Sequence, residues 1–166
     1  MPRVVVREAG PEFDGFFGAN RDRLTKALWL VARDRHEAEE VAQEAFLKLF
    51  ERWDRVRGLD DPEAYLYRTA LNLYRNRRRR AALTLRRLLR AAPPVDPTDA
   101  IDQRDEIMRA LGTLTARQRA ALVLMDMLEL TSGEAARALG VRPSTVRVLA
   151  ARARTALRSE IGGDDG

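Results

Sequence analysis

Three tyrosines, Tyr65, Tyr67 and Tyr74, are interleaved with a basic run of Arg75, Arg77, Arg78, Arg79 and Arg80 in a stretch that reads as one helix. Aromatic faces stack on unpaired bases while cations follow phosphates, so the pattern suits a single nucleic-acid strand. Further on, the residues from Thr131 to Val146 have the layout of a helix-turn-helix. Ala135 and Ala136 are small enough to let two helices approach, Gly140 suits a left-handed C-cap, and Val141 plugs the corner. Arg142, Ser144, Thr145, Arg147, Ala151, Arg152 and Arg154 are left facing outward along a helix of a kind that enters a major groove.

Other chemistries lack their residues. The chain has no cysteine and a single histidine, His36. That excludes a disulfide, a thiolate zinc site, a cysteine nucleophile and a histidine pair. No paired carboxylates recur beside a phosphate-cradling glycine loop. No catalytic residue, metal site or cofactor is expected.

The elements that must carry these residues are helical. Phe13, Phe16, Phe17, Leu24, Leu28 and Val31 recur at helical spacing, and Val41, Ala42, Ala45, Phe46, Leu49 and Phe50 do the same. A turn from Arg57 to Pro62 precedes a third helix, with Asp61 as N-cap and Pro62 at its first position, running into the arginines. Helices are also predicted over Ile101 to Leu111, Leu114 to Met127 (capped by Thr113 or Thr115), Ser132 to Leu139, and onward from Pro143. No segment shows sustained strand alternation and no repeat is evident. The fold class is all-α.

Ala91 to Asp99 holds three prolines and no apolar periodicity, and reads as an extended linker. Two small helical domains joined by a flexible linker follow: residues 10–82, linker 83–100, and residues 101–161. Charge is distributed unevenly along the chain. The net charge is +5, and with lysine only at Lys26 and Lys48, 28 of the 30 cations are arginine. Residues 1–60 hold 11 basic and 12 acidic side chains, 61–100 hold 9 and 4, and 101–166 hold 10 and 9, so the excess sits in the middle. Such a field repels itself unless polyanion is near, and arginine forks onto phosphate and guanine. The N-terminus lacks a basic stretch followed by a long apolar run, and no apolar run approaches about 18 residues, so a cytoplasmic protein without a membrane span is expected.

Leu111 to Leu124, an apolar helix led by a short loop, is followed by Glu134-Ala135-Ala136, Leu139-Gly140, Thr145-Val146 and an Arg-Ala-Arg string ending in Leu157-Arg158. In this order the segment resembles region 4 of bacterial sigma-70 family factors, which implies that the outward residues read the minus-thirty-five element. Ala38 to Phe50 puts Glu40, Gln43, Glu44 and Leu47 on one helical flank, mixing carboxylates with an apolar side chain. This string is similar to region 2.2 of the extracytoplasmic-function group, which implies that Glu40, Gln43, Glu44, Phe46 and Leu47 grip RNA polymerase core. Tyr65 to Arg80 resembles regions 2.3 and 2.4. The resemblance implies minus-ten recognition by Arg55, Arg57, Tyr67, Asn72, Arg75, Arg77 and Arg78, with the loop from Asp54 to Asp61 forming part of a pocket for a flipped base. For at least one of the three tyrosines core packing is the preferred reading.

The resemblance covers residues 12–80 and 101–160 and points to a SigE-like actinobacterial subgroup. Asn76, Tyr65, Ser144 and Val148 stand where the family usually has Asp, Trp, Gly and Ser. It implies a sigma factor with no enzymatic activity, a monomer outside the holoenzyme and nucleoid-associated within it. Core polymerase and promoter DNA are its partners, and an anti-sigma factor fits as a further one. The alternative is a standalone helix-turn-helix regulator binding duplex without core. A nucleic-acid enzyme and a purely protein-binding adaptor are more distant rivals.

Overall fold

The structure, a computed structural model, describes residues 10–89 and 106–162. Every regular element among them is helical. Helix α1 spans Pro11–Ala32, with Pro11 in the first turn where its missing N–H costs nothing. It ends at Arg33, a left-handed C-cap with φ 58°, whose N–H reaches Trp29 O at 2.7 Å. Asp34 then caps α2 (Arg35–Glu51), its Oδ1 accepting from the Glu37 N–H at 3.1 Å. A short α3 (Trp53–Val56) lies in the expected loop. Asp61 Oδ1 accepts from the Ala64 N–H at 2.9 Å and opens α4 (Pro62–Leu89), as the sequence predicts. This helix continues seven residues past the expected boundary at 82, and the proline-rich stretch 91–99 lies outside the described residues.

The second half begins with α5 (Glu106–Gly112); the expected helical residues 101–105 lie outside the described ones. Of the two candidate caps for the next helix, Thr115 is the one used. It forms a capping box with Gln118 at the start of α6 (Ala116–Leu122), while Thr113 Oγ1 donates to Ala110 O. Helix α6 widens into a π-helical turn over Val123–Met127, where a continuous α-helix was expected, with the Leu128 N–H bonding Val123 O five residues back. A second capping box, Thr131 with Glu134, opens α7 (Ser132–Leu139), and Gly140 closes it at φ 66°. Helix α8 is Pro143–Gly162.

The two halves share a core. In the first, Leu24, Leu28 and Val31 of α1 meet Val41, Ala45 and Leu49 of α2 and Leu66, Ala70 and Leu73 of α4. This cluster continues into Ala120, Ala121 and Leu124 of α6, Ala135 and Ala136 of α7 and Val146 of α8. Helix α4 packs on α7 and α1 on α6. The alanines of α7 allow the close approach, and Trp29 and Leu30 reach a second cluster built on Met108, Leu111, Leu114, Leu122 and Ala153.

Candidate nucleic-acid interface

Helical geometry sorts the side chains of α4 onto three faces. Leu66, Tyr67, Ala70 and Leu73 point into the core, and Tyr67 is 2% exposed. Its hydroxyl makes no hydrogen bond, and burial pushes the phenol up to about 12. A ring so enclosed cannot stack on a base in this conformation, which corrects the expectation that Tyr67 meets DNA. Tyr74 is buried as well, and Tyr65 is half-buried with its hydroxyl accepting from Arg52 at 3.2 Å.

A second face of α4 carries Asn72, Arg75 and Arg78. Arg75 donates to Asn72 Oδ1 at 3.0 Å and the Arg78 guanidinium lies 6.0 Å from the Tyr74 ring centre. These side chains, with Leu71 and Tyr74, face α7 and α8 across a cavity of about 230 Å³ closed by Ala138, Leu139, Val141 and Leu149. Arg55 and Arg57 stand apart from them, in and after α3. Both are exposed, and Arg57 bridges to Glu12 at 3.0 Å.

Arg77 does not join Arg75 and Arg78. It sits on the third face, turned toward α2, where its two terminal nitrogens donate to Glu40 Oε2 at 2.8 Å and Glu44 Oε2 at 2.9 Å. Arg77, grouped with Arg75 and Arg78 by the sequence reading, thus lies on a different face of α4 in the folded chain. Glu40 Oε1 also lies 3.1 Å from His36 Nε2. Gln43 and Leu47 are exposed on the same helix, Leu47 at 64%. Phe46, expected to touch a partner, is instead buried at 5% with its ring edge-to-face with Phe17.

In the helix-turn-helix, Arg142, just before α8, and Ser144, Thr145, Arg147, Ala151 and Arg152 on α8 are exposed, while Val146, Ala150 and Ala153 anchor the helix on its other side. Arg147 donates to Ser132 Oγ at 3.1 Å, tying the start of α7 to α8. Arg154 is committed differently. It forks onto Asp126 at 2.8 and 2.5 Å, and this pairing holds the Asp126 carboxyl below its usual value.

The sequence reading missed Arg119 and Arg33. Arg119 is 7% exposed, and its guanidinium donates to the carbonyl oxygens of Val31 (2.8 Å), Leu111 (3.3 Å) and Leu114 (2.6 Å). Burial pushes it below its usual value, an effect that neighbouring Tyr74 partly offsets. Arg33 returns the gesture, donating to Met108 O at 3.0 Å. The only sequence signal was an arginine at position 119 set among Ala120, Ala121 and Leu122, the apolar side of α6. Among the described residues no cluster of ligating side chains able to hold a metal ion is present.

Comparison with known proteins matches both halves. Residues 16–84 match the model of sigma-70 region 2 and residues 104–157 that of sigma-70 region 4. The chain is 31% identical over 151 residues to the ECF RNA polymerase sigma factor SigM of Mycobacterium tuberculosis, covering 90% of this chain and 77% of the relative. It is 27% identical over 156 residues to the RNA polymerase sigma-E factor of Streptomyces coelicolor, covering 93% and 88%. Among solved structures, its fold is that of the sigma factor RpoE from Bartonella quintana, crystallised with the anti-sigma factor NepR (TM-score 0.79, 19% identity, 93% of this chain and 99% of that one). It is also similar to CnrH, solved in complex with the cytosolic domain of CnrY (TM-score 0.65, 25% identity, 92% and 89%). With region 2 and region 4 matched in order on one helical chain, and a SigM relative aligned across nearly all of it, the protein belongs to the sigma-70 family as an extracytoplasmic-function RNA polymerase sigma factor.

Proposed function

We propose that this chain joins RNA polymerase core and directs it to promoters through two surfaces. The observation that supports this most is segregation of charge: an exposed acidic flank on α2 and separate arginine-bearing faces on α4 and α8. Glu40, Gln43, Glu44 and Leu47 form the core-binding flank. Asn72, Arg75 and Arg78, with Arg55 and Arg57, follow the melted minus-ten strand. Arg142, Ser144, Thr145, Arg147, Ala151 and Arg152 read the minus-thirty-five duplex. The working units are residues 10–82 and 101–161, and the chain itself makes and breaks no bond.

The closed packing has a mechanical consequence. The two elements are centred about 25 base pairs apart, about 85 Å along the duplex. Two domains that share one core cannot reach both, so α7 must leave α4 when the holoenzyme engages a promoter, and this opens the cavity that Asn72, Arg75 and Arg78 line. Phosphate neutralisation by these arginines gives binding a steep salt dependence. A regulator that holds the domains together silences the protein, a role suited to an anti-sigma factor like the one crystallised with RpoE. Among the described residues no helix is long and apolar enough to cross a membrane, and the proposed site of action is the cytoplasm.

Run-off transcription with purified core and a promoter library from the same genome tests the reading. Initiation that requires the chain, and falls when Glu44 or Arg147 is replaced by Ala, is expected. Duplex binding by the chain alone, with no core binding and no transcripts, overturns it in favour of a standalone regulator.

A further inference from the structure

We infer that Arg77 is a positioning residue of the polymerase-docking flank and is not a ligand of the promoter strand. The inference rests on the reading that Glu40 and Glu44 meet core. Those two carboxylates stand one turn apart on α2, and like charges at this spacing repel. Left alone, they would also sample many rotamers, and ordering such side chains on binding costs affinity.

Arg77 removes both penalties from across the groove between α2 and α4. One guanidinium spans the pair at 2.8 and 2.9 Å, and the two bonds hold its charge more firmly than usual, Glu44 contributing most and Glu40 next. A planar fork can engage two carboxylates at once, which an ammonium cannot do with the same geometry. The bridge uses one oxygen of each carboxylate. The other oxygen of Glu40 lies beside His36, yet an ionised carboxylate offers about four acceptor positions and the two side chains remain 48% and 38% exposed, so each can still receive a cation from a partner. Arg77 itself is only 32% exposed and faces a groove where Asp34, Glu37, Glu40 and Glu44 stand together with Lys48 and Arg80. Both terminal nitrogens of its guanidinium are already committed to carboxylates there. Arg75, on the neighbouring face, bonds Asn72 and has no carboxylate in the cavity it lines, while Arg78 lies within the field of Glu37 but forks onto no carboxylate pair.

The test separates two measurements on R77A and R77K. The first is affinity for purified core polymerase, read by titration. The second is the salt dependence of fork-junction promoter binding by holoenzyme assembled at saturating concentrations of the variant. R77A is expected to weaken core binding by about tenfold, the loss expected when two side chains are no longer pre-ordered. R77K is expected to fall between R77A and the parent. The slope of log affinity against log salt for DNA is expected to keep its parental value in both. A slope shallower by about 0.7 in R77A, the signature of one lost phosphate contact on a single strand, with core affinity unchanged, overturns the inference and returns Arg77 to the promoter strand. Unchanged core affinity with an unchanged slope overturns it too. Thermal unfolding of each variant identifies any loss that comes from misfolding, and in that case R77K decides.

The E40Q/E44Q variant keeps the two failures apart. If it binds core normally, the assignment of the flank is wrong and the inference falls with it. If it loses core binding while R77A does not, the flank stands and only the role of Arg77 fails.

Discussion

Arg119 on α6 donates to the carbonyl oxygen of Val31 on α1, 88 residues away in sequence, through a buried bond of 2.8 Å. Two further carbonyls, on Leu111 and Leu114, receive the same guanidinium. The last turn of α1, the end of α5 and the loop after it thus converge on one cation. With the reciprocal bond from Arg33 to Met108 O, the two halves are clasped by polar groups as well as by apolar contact.

Replacing Arg119 with Met keeps the bulk but strands these carbonyls. A buried acceptor left without a partner costs about 1–3 kcal/mol. Urea unfolding of R119M is expected to show a loss of that order, and small-angle scattering a larger radius of gyration as the halves separate. A radius equal to the parent's would mean that apolar packing alone holds the closed form.

Tyr67→Phe is expected to be neutral or stabilising by up to about 1 kcal/mol, because the hydroxyl it removes is buried without a partner. The alkaline limb of stability should change in a defined way. Tyr67 is raised to about 12 in the folded chain, with burial the largest cause. From the ordinary value near 10 upward, the unfolded chain therefore ionises first and the fold loses stability until the folded phenol titrates. Unfolding at pH 8 and pH 11 checks this: the parent should lose more than Y67F between the two.

Asp126 gives the opposite limb. Its hydrogen bonds from Arg154 depress the folded carboxyl, so the pair adds stability above the ordinary aspartate range and loses it as pH falls through the depressed value. Both side chains are over a third exposed, which limits the gain to about 0–1 kcal/mol after solvent screening. The stability difference between the parent and D126N, followed from pH 6 to pH 2, should shrink toward zero at the acid end.

The helix-turn-helix depends on local stops. Thr131→Ala and Thr115→Ala each remove a side-chain acceptor from an N-terminal N–H and are expected to cost about 1 kcal/mol. Gly140→Ala places a side chain at φ 66°, at about 1–2 kcal/mol, although nothing lies within 4 Å of the added carbon. Chemical denaturation measures all three. No loss in G140A would show that the turn re-forms around the new residue.

On upstream duplex, Arg147→Ala is expected to weaken holoenzyme binding by about 1–3 kcal/mol if it forks onto a base. Arg154→Ala is expected to act mainly through stability, because its guanidinium is already engaged by Asp126. Competition binding with minus-thirty-five variants distinguishes the two: lost discrimination belongs to Arg147, uniform weakening to Arg154.

Elements with local causes were legible in the chain. Asp61-Pro62 and Gly140 carry their helix signals within a few residues, because caps and left-handed turns are decided by bonds to near neighbours. Apolar periodicity likewise marked the core of α1 and α2, and the exposed side of α8 followed from which residues anchor its other side. What α4 presents on each face was decided only by its packing. A run of arginines has one composition, yet α2 claims Arg77 with two carboxylates while Arg75 and Arg78 turn to the cavity beside α7, and core packing takes Tyr67 away from solvent. The burial of Arg119 and the union of the halves into one core depend on carbonyls and side chains tens of residues apart. Only the folded chain brings those groups within the few ångströms over which hydrogen bonds and dispersion act.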